Sequence, residues 1–141
     1  MKKIGILGLG YVGLPLAVEF GKCRKVVGYD INSERIKELL NGIDTTKECS
    51  SKELKEAALL SYTSKLDDLE GCEIYIVTVP TPIDMAKQPD LKPLIFATEN
   101  LAKILSYGNI VVYESTVFPG ATEEVCVPII EKISRLKYNR D

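Results

Sequence analysis

The sequence predicts an α/β fold: a doubly wound parallel sheet with helices on both faces, three layers in all. Three observations predict it. Short β-prone apolar runs alternate with stretches of helical spacing along the chain. Gly8, Gly10 and Gly13 fall where the first strand gives way to the first helix. An acidic residue, Asp30, ends the second strand.

Each element has its own signal. Lys3 to Leu9, with Ile4-Gly5-Ile6-Leu7 inside it, reads as a strand buried on both faces, as parallel strands are. Tyr11 to Gly21 follows helical spacing, with Val12, Leu16, Val18 and Phe20 apolar. Pro15 falls in the first turn or just past it, where its missing N–H costs least. Lys25 to Asp30 is a second strand. Asn32 or Ser33 caps a helix to about Leu40, stopped by Asn41-Gly42. Ser50 or Ser51, with Glu53 behind, opens another helix reaching about Leu60. A short strand follows near Tyr62-Thr63, and Glu73 to Val79 makes a strongly β-prone fourth. Pro80 to Pro93 carries prolines at 80, 82, 89 and 93 and reads as a loop, long enough in a compact domain to suggest function. Leu94 to Leu105 is helical and ends at Tyr107-Gly108-Asn109. Ile110 to Tyr113 is the fifth strand, and Glu114 to Gly120 a second polar loop. A last helix runs from Thr122 to about Leu136, bent or delayed by Pro128.

Composition bounds the function. The chain has 141 residues, enough for one domain. Its net charge of −2 comes from 18 basic and 20 acidic residues, too balanced for nucleic acid or an anionic membrane to be the partner. No apolar run approaches the ~20 residues a bilayer span needs, so the expected location is cytoplasmic. Cys23, Cys49, Cys72 and Cys126 form no C-x-x-C pair, and the chain has no histidine. No metal site is expected, and the thiols read as small buried apolar groups. Any acid–base chemistry falls to Asp, Glu, Lys, Tyr or water.

Gly8-Leu9-Gly10-Tyr11-Val12-Gly13 matches G-x-G-x-x-G between a strand and a helix, the context of a Rossmann-type dinucleotide site. Gly8 makes the tight turn, Gly10 lets backbone approach a pyrophosphate, and Gly13 lets helix and strand lie close. The amides near Tyr11 and Val12 face the phosphates. Asp30 can accept hydrogen bonds from adenosine ribose hydroxyls and repel a 2′-phosphate, so NAD is expected over NADP. Its other reading is an ordinary strand-end Asp. Arg35 lies over the adenosine side or is a plain exposed helix arginine. Val79-Pro80-Thr81-Pro82 and Glu114-Ser115-Thr116-Val117 follow the fourth and fifth strands, so both should face the same crevice. Their hydroxyls, on Thr81, Ser115 and Thr116, either bond ribose, nicotinamide amide or substrate, or serve only as turn and cap groups.

The run from Gly8 to Ala17 resembles the opening of the UDP-glucose/GDP-mannose dehydrogenase family. Val77-Thr78-Val79-Pro80-Thr81-Pro82 and Glu114-Ser115-Thr116-Val117-Phe118-Pro119-Gly120 resemble its second and third signatures, in order and at the right spacing. The resemblance covers the whole chain. It implies oxidation of the C6 alcohol of a nucleotide sugar to a uronic acid in two NAD-dependent steps, through a thiohemiacetal and a thioester on a catalytic cysteine. It implies that Gly8, Gly10, Tyr11, Val12 and Gly13 hold the pyrophosphate, and Asp30 and Arg35 the adenosine ribose. Thr81 and Thr116 would line the nicotinamide end, Thr116 also placing the water that hydrolyses the thioester. The stretches Thr78 to Asp84 and Tyr113 to Cys126 look most like the branch acting on UDP-N-acetylhexosamines, with UDP-glucose or GDP-mannose as alternatives.

Full-length members of that family are several hundred residues long, and their catalytic cysteine, lysine, asparagine and sugar-binding residues come later. None of the four cysteines matches the catalytic one. The expectation is an N-terminal NAD-binding fragment, inactive alone, of a homodimeric enzyme. Its sheet would lack the sixth strand of the order 3-2-1-4-5-6, leaving the fifth as an exposed apolar edge. Two alternatives stay open: a stand-alone NAD-binding or sensing module, and the Rossmann domain of another hydroxyacid-type dehydrogenase.

Overall fold

The structure, a computed structural model, describes residues 2–83 and 88–141. Asp84, the end of the stretch from Thr78 that resembles the UDP-N-acetylhexosamine branch, lies outside them, as do three more residues of the Pro80 to Pro93 loop. Five parallel strands form one sheet in the order β3-β2-β1-β4-β5. They are β1 (Ile4–Leu7), β2 (Val26–Tyr29), β3 (Leu60–Thr63), β4 (Ile74–Val77) and β5 (Ile110–Tyr113). Central β1 pairs with β2 and β4 in aligned register, Ile4 facing Val26 on one side and Ile74 on the other. The expected strand order is therefore present up to the fifth strand.

The helices are α1 (Gly13–Gly21), α2 (Ser33–Leu40), α3 (Ser51–Glu56), α4 (Lys92–Ala102) and α5 (Val127–Ser134). One core, built on Ile4, Ile6, Leu14, Val18, Val26, Ile36 and Leu39, joins the sheet to α1, α2 and α3. The other, built on Leu7, Val27, Tyr75, Val77, Leu94 and Leu101, joins it to α4 and the 3₁₀ turn at Leu66–Leu69. Side chains alternate across each strand, so a sheet with two apolar faces must be covered on both. The result is the three-layer arrangement that the sequence predicts.

Local chemistry sets the boundaries. Asn32 caps α2, its side-chain oxygen accepting from the Glu34 and Arg35 amides. Ser50 and Glu53 form a reciprocal capping box at α3. Several edges differ from the prediction. α1 starts at Gly13, because Tyr11 and Val12 belong to the turn closed by the Leu14 amide on the Gly10 carbonyl. α3 ends at Glu56, and the expected strand at Tyr62 starts at Leu60, since Leu60 pairs with Val26. α4 begins at Lys92 with Pro93 inside its first turn, where proline gives up only an amide that would have no helical partner. It closes at Ala102 because the Lys103 and Ile104 amides tighten onto carbonyls three residues back. The single last helix is in fact a π-helical turn, Thr122–Cys126, followed by α5, with Pro128 in the first turn of the regular part. Arg135, at φ 64°, ends it. β3 and β5 are the edge strands, and Ile110 of β5 is 47% exposed. Among the described residues no helix is long and apolar enough to cross a membrane.

Candidate functional site

Register aligns the strand ends. Leu7 stands beside Tyr29 and Val77, and Val77 beside Tyr113. The segments after β1, β2, β4 and β5 therefore open on one crevice, the usual ligand position in an open parallel sheet.

The glycine turn leaves β1 at Gly8, whose φ of +101° is one that L side chains rarely adopt. Its amide donates to the Tyr29 carbonyl at 2.8 Å. Gly13 is the point of closest approach. A methyl there would stand 2.9 Å from the Gly8 carbonyl carbon, and would overlap the Gly8 oxygen and the Thr78 hydroxyl. That hydroxyl donates to the Gly8 carbonyl at 2.7 Å, tying the end of β4 to the turn. Gly10 is different: a Cβ on it would meet nothing within 4 Å. The amides of Gly10, Tyr11 and Val12 donate to no described residue. The turn thus offers bare backbone donors at the positive end of α1, with open space before them.

Residue Leu9 is held from both sides. Its amide donates to Asp30 Oδ2 at 2.8 Å, and its carbonyl accepts from Arg35 Nε at 2.9 Å. Asp30 also accepts from the Asn32 amide through Oδ1, at 2.9 Å. Asp30 therefore shapes the turn and, half-buried at the crevice, keeps lone pairs for a ligand hydroxyl. Arg35 is not the exposed helix arginine left open by the sequence. It is 8% exposed, and its Nη2 pairs with Asp44 at 2.8 Å.

The loops after β4 and β5 are stitched together. Thr81 Oγ1 donates to the Thr116 carbonyl at 2.6 Å, and Ser115 Oγ donates to the Val79 carbonyl at 2.7 Å. The Thr81 and Ser115 protons are thus spent between the loops, one of the two roles the sequence leaves open, and only their oxygen lone pairs remain for a ligand. Thr116 keeps an exposed side chain.

A cleft of about 200 Å³ sits beside Asp30, walled by Ile31, Val79, Pro80, Pro93, Phe96 and Asn100. It suits one flat ring system. Ile31 and Phe96 are 66% and 50% exposed, a high figure for residues so apolar. Sequence reading missed Ile31, Pro93, Phe96 and Asn100. Only the position of Ile31, directly after Asp30, gave any hint.

The cysteines take no part. Cys49, Cys72 and Cys126 are buried, as expected for small apolar groups, while Cys23 is exposed. Burial, reinforced by the charge of Asp44, pushes the Cys49 thiol up to about 11. Burial also raises Cys72 and Cys126.

A glycine cradle that a Cβ would fill, a carboxylate for ribose and an apolar slot for a base together fit a dinucleotide. The model of the UDP-glucose/GDP-mannose dehydrogenase family, NAD binding domain, matches residues 2–141.

The chain belongs to this family.

This NAD-binding domain is 63% identical over 139 residues to a UDP-N-acetyl-D-glucosamine 6-dehydrogenase of Pseudomonas aeruginosa, covering 99% of the chain and 33% of the relative. It is 58% identical to the enzyme of the same name from Salmonella typhi, again covering 99% and 33%. A solved UDP-D-ManNAc dehydrogenase from Pyrococcus horikoshii superposes with a TM-score of 0.91 at 37% identity, over 97% of this chain and 34% of that one. The chain thus spans about a third of the length of the relatives it matches. The cofactor of the domain is NAD.

Proposed function

We propose that this domain serves a nucleotide-sugar 6-dehydrogenase and corresponds to the N-terminal third of that enzyme. The enzyme oxidises the C6 alcohol of a UDP-sugar, a UDP-N-acetylhexosamine before UDP-glucose or GDP-mannose, to a uronic acid in two NAD-dependent steps. The observation that carries this reading is 63% identity, across nearly the whole chain, to a UDP-N-acetyl-D-glucosamine 6-dehydrogenase.

NAD supplies the hydride acceptor when bound. The chain's own residues bind and orient it. The amides of Gly10, Tyr11 and Val12 take the pyrophosphate, with Gly8 and Gly13 shaping the cradle. Asp30 takes the adenosine ribose from a turn that Arg35 braces. The adenine lies between Ile31, Pro80 and Phe96. The stitched loops carrying Val79, Thr81, Ser115 and Thr116 border the nicotinamide end, where Thr116, with its side chain exposed, positions water or substrate. A homodimeric full-length enzyme in the cytoplasm belongs to the same reading, and the free thiols suit a reducing compartment.

Calorimetric titration tests the reading. This chain should bind NAD more tightly than NADP, and Asp30→Ala should weaken NAD binding about tenfold or more. It should make no NADH from UDP-N-acetyl-D-glucosamine alone, while the longer enzyme that contains it should. Tighter NADP binding, or NADH formed by the chain alone, would overturn it.

A further inference from the structure

The segment between α2 and α3 lines neither the glycine turn nor the cleft beside Asp30, yet it holds a carboxylate with no solvent exposure. The Asp44 side chain is 0% exposed. Its Oδ1 accepts from the Thr46 amide at 3.0 Å, from the Thr46 hydroxyl at 2.6 Å and from Arg35 Nη2 at 2.8 Å. Its Oδ2 accepts from the amides of Glu48 and Cys49, both at 2.9 Å. Such a hub has two products: a folded loop, and a fixed guanidinium.

Four of the guanidinium's donors are hydrogen-bonded within the chain, and a fifth oxygen stands at ion-pair distance. Arginine has five N–H donors in a rigid fork. Around Arg35 stand five oxygens of this chain: the Leu9 carbonyl at 2.9 Å from Nε, Thr45 Oγ1 at 3.3 Å and Glu38 Oε2 at 3.6 Å from Nη1, and Asp44 Oδ1 at 2.8 Å and Thr46 Oγ1 at 3.3 Å from Nη2. An arginine beside the end of the second strand is the group that accommodates the 2′-phosphate in NADP-binding domains of this architecture. Here an arginine is present, holding the carbonyl of the same Leu9 whose amide Asp30 holds, with four of its donors bonded to the chain itself.

We propose that Asp44 is a positioning residue for cofactor choice: through Arg35 it braces the glycine turn at Leu9 and withholds the guanidinium from a 2′-phosphate. Discrimination against NADP then has two parts. The Asp30 carboxylate repels the phosphate, and the Asp44 loop denies it a cation that lies within one helical turn. The inference rests on the reading of Asp30 and the glycine turn as the adenosine side of an NAD site.

Titration of the chain and three variants with NAD and NADP tests it, read as the ratio of the two affinities. Loosening the glycine turn weakens both cofactors together, so a purely structural role leaves the ratio still. Asp44→Asn should shift the ratio toward NADP by about tenfold, the worth of one charge-assisted contact. Arg35→Gln should lower both affinities and leave the ratio as in the unaltered chain. The double variant should lose the shift that Asp44→Asn produces. An unchanged ratio in a folded Asp44→Asn variant overturns the proposal. So does a selective loss of NADP in Arg35→Gln, an outcome readable even where Asp44→Asn does not fold. Failure of the unaltered chain to bind NAD at all would instead sink the underlying site reading.

Discussion

Gly10 and Gly13 lie three residues apart in one motif, yet adding a methyl group should do opposite things to them. At Gly13 the new Cβ would stand 2.9 Å from the Gly8 carbonyl carbon, and closer still to its oxygen and to the Thr78 hydroxyl. Backbone crowds it, so no side chain can swing away. α1 must retreat by roughly 1 Å from the turn, and overpacking of this kind costs about 1–3 kcal/mol. For a domain of this size that lowers Tm by about 3–10 °C. The retreat also displaces the Tyr11 and Val12 amides, so NAD binding should fall more than about tenfold. At Gly10 the Cβ meets nothing within 4 Å and the backbone needs no positive φ. Gly10→Ala should leave stability within about 0.5 kcal/mol. The methyl would nonetheless occupy the space that a pyrophosphate needs, and NAD affinity should drop by about tenfold or more, about 1.4 kcal/mol. Thermal melts followed by circular dichroism and calorimetric NAD titration measure both quantities. Gly10→Ala binding NAD as the unaltered chain does would refute the placement of pyrophosphate over this turn. Gly13→Ala with an unchanged melt would refute the close approach of helix and turn.

Two further outcomes are expected. Phe96→Ala should weaken binding of NAD and AMP alike by about five- to thirtyfold, the scale of one stacked base, without loss of fold, because Phe96 is half exposed; unchanged AMP binding would move the adenine elsewhere. Burial would raise the Asp44 carboxyl, but bonds from the Thr46 hydroxyl, the Cys49 amide and Arg35 outweigh it and hold it near 2, below its ordinary 3.8. A carboxylate whose folded value is lowered stabilises fully above the unfolded value and loses that stability as pH falls toward the folded one. The unfolding free energy from urea titration should therefore drop between pH about 4 and 2, by about 2 kcal/mol from this group, and Asp44→Asn should flatten that part of the slope.

Much of the cofactor site is legible in the chain because its signals are local. A strand, three glycines and a helix occupy Ile4 to Gly21 without interruption, and Asp30 ends the next strand. The parallel sheet with helices on both faces followed from the alternation of β and α signals. The sequence leaves the hydroxyls of Thr81 and Ser115 open between ligand groups and turn groups, and in the structure both donate their protons to backbone across the two loops. A sequence position says that a hydroxyl is near the crevice, but the competition between a ligand and a neighbouring carbonyl depends on how two loops meet. The slot between Ile31 and Phe96 was missed for the same reason, since 64 residues and two more strands separate its walls.

By itself, the sequence determined the α/β class, the parallel sheet covered on both faces, the glycine turn between strand and helix, and the acidic end of the second strand. Each of these depends on periodicity, on glycine geometry or on one residue at one strand end, all of which are local properties. Only the tertiary structure decided where Arg35 points. The helix position allowed a solvent-facing cation or a ribose contact, and the fold chose a buried one braced between Leu9 and Asp44. The physical reason is that a guanidinium goes where the most oxygens converge, and those oxygens come from segments 26 residues before it and nine after it.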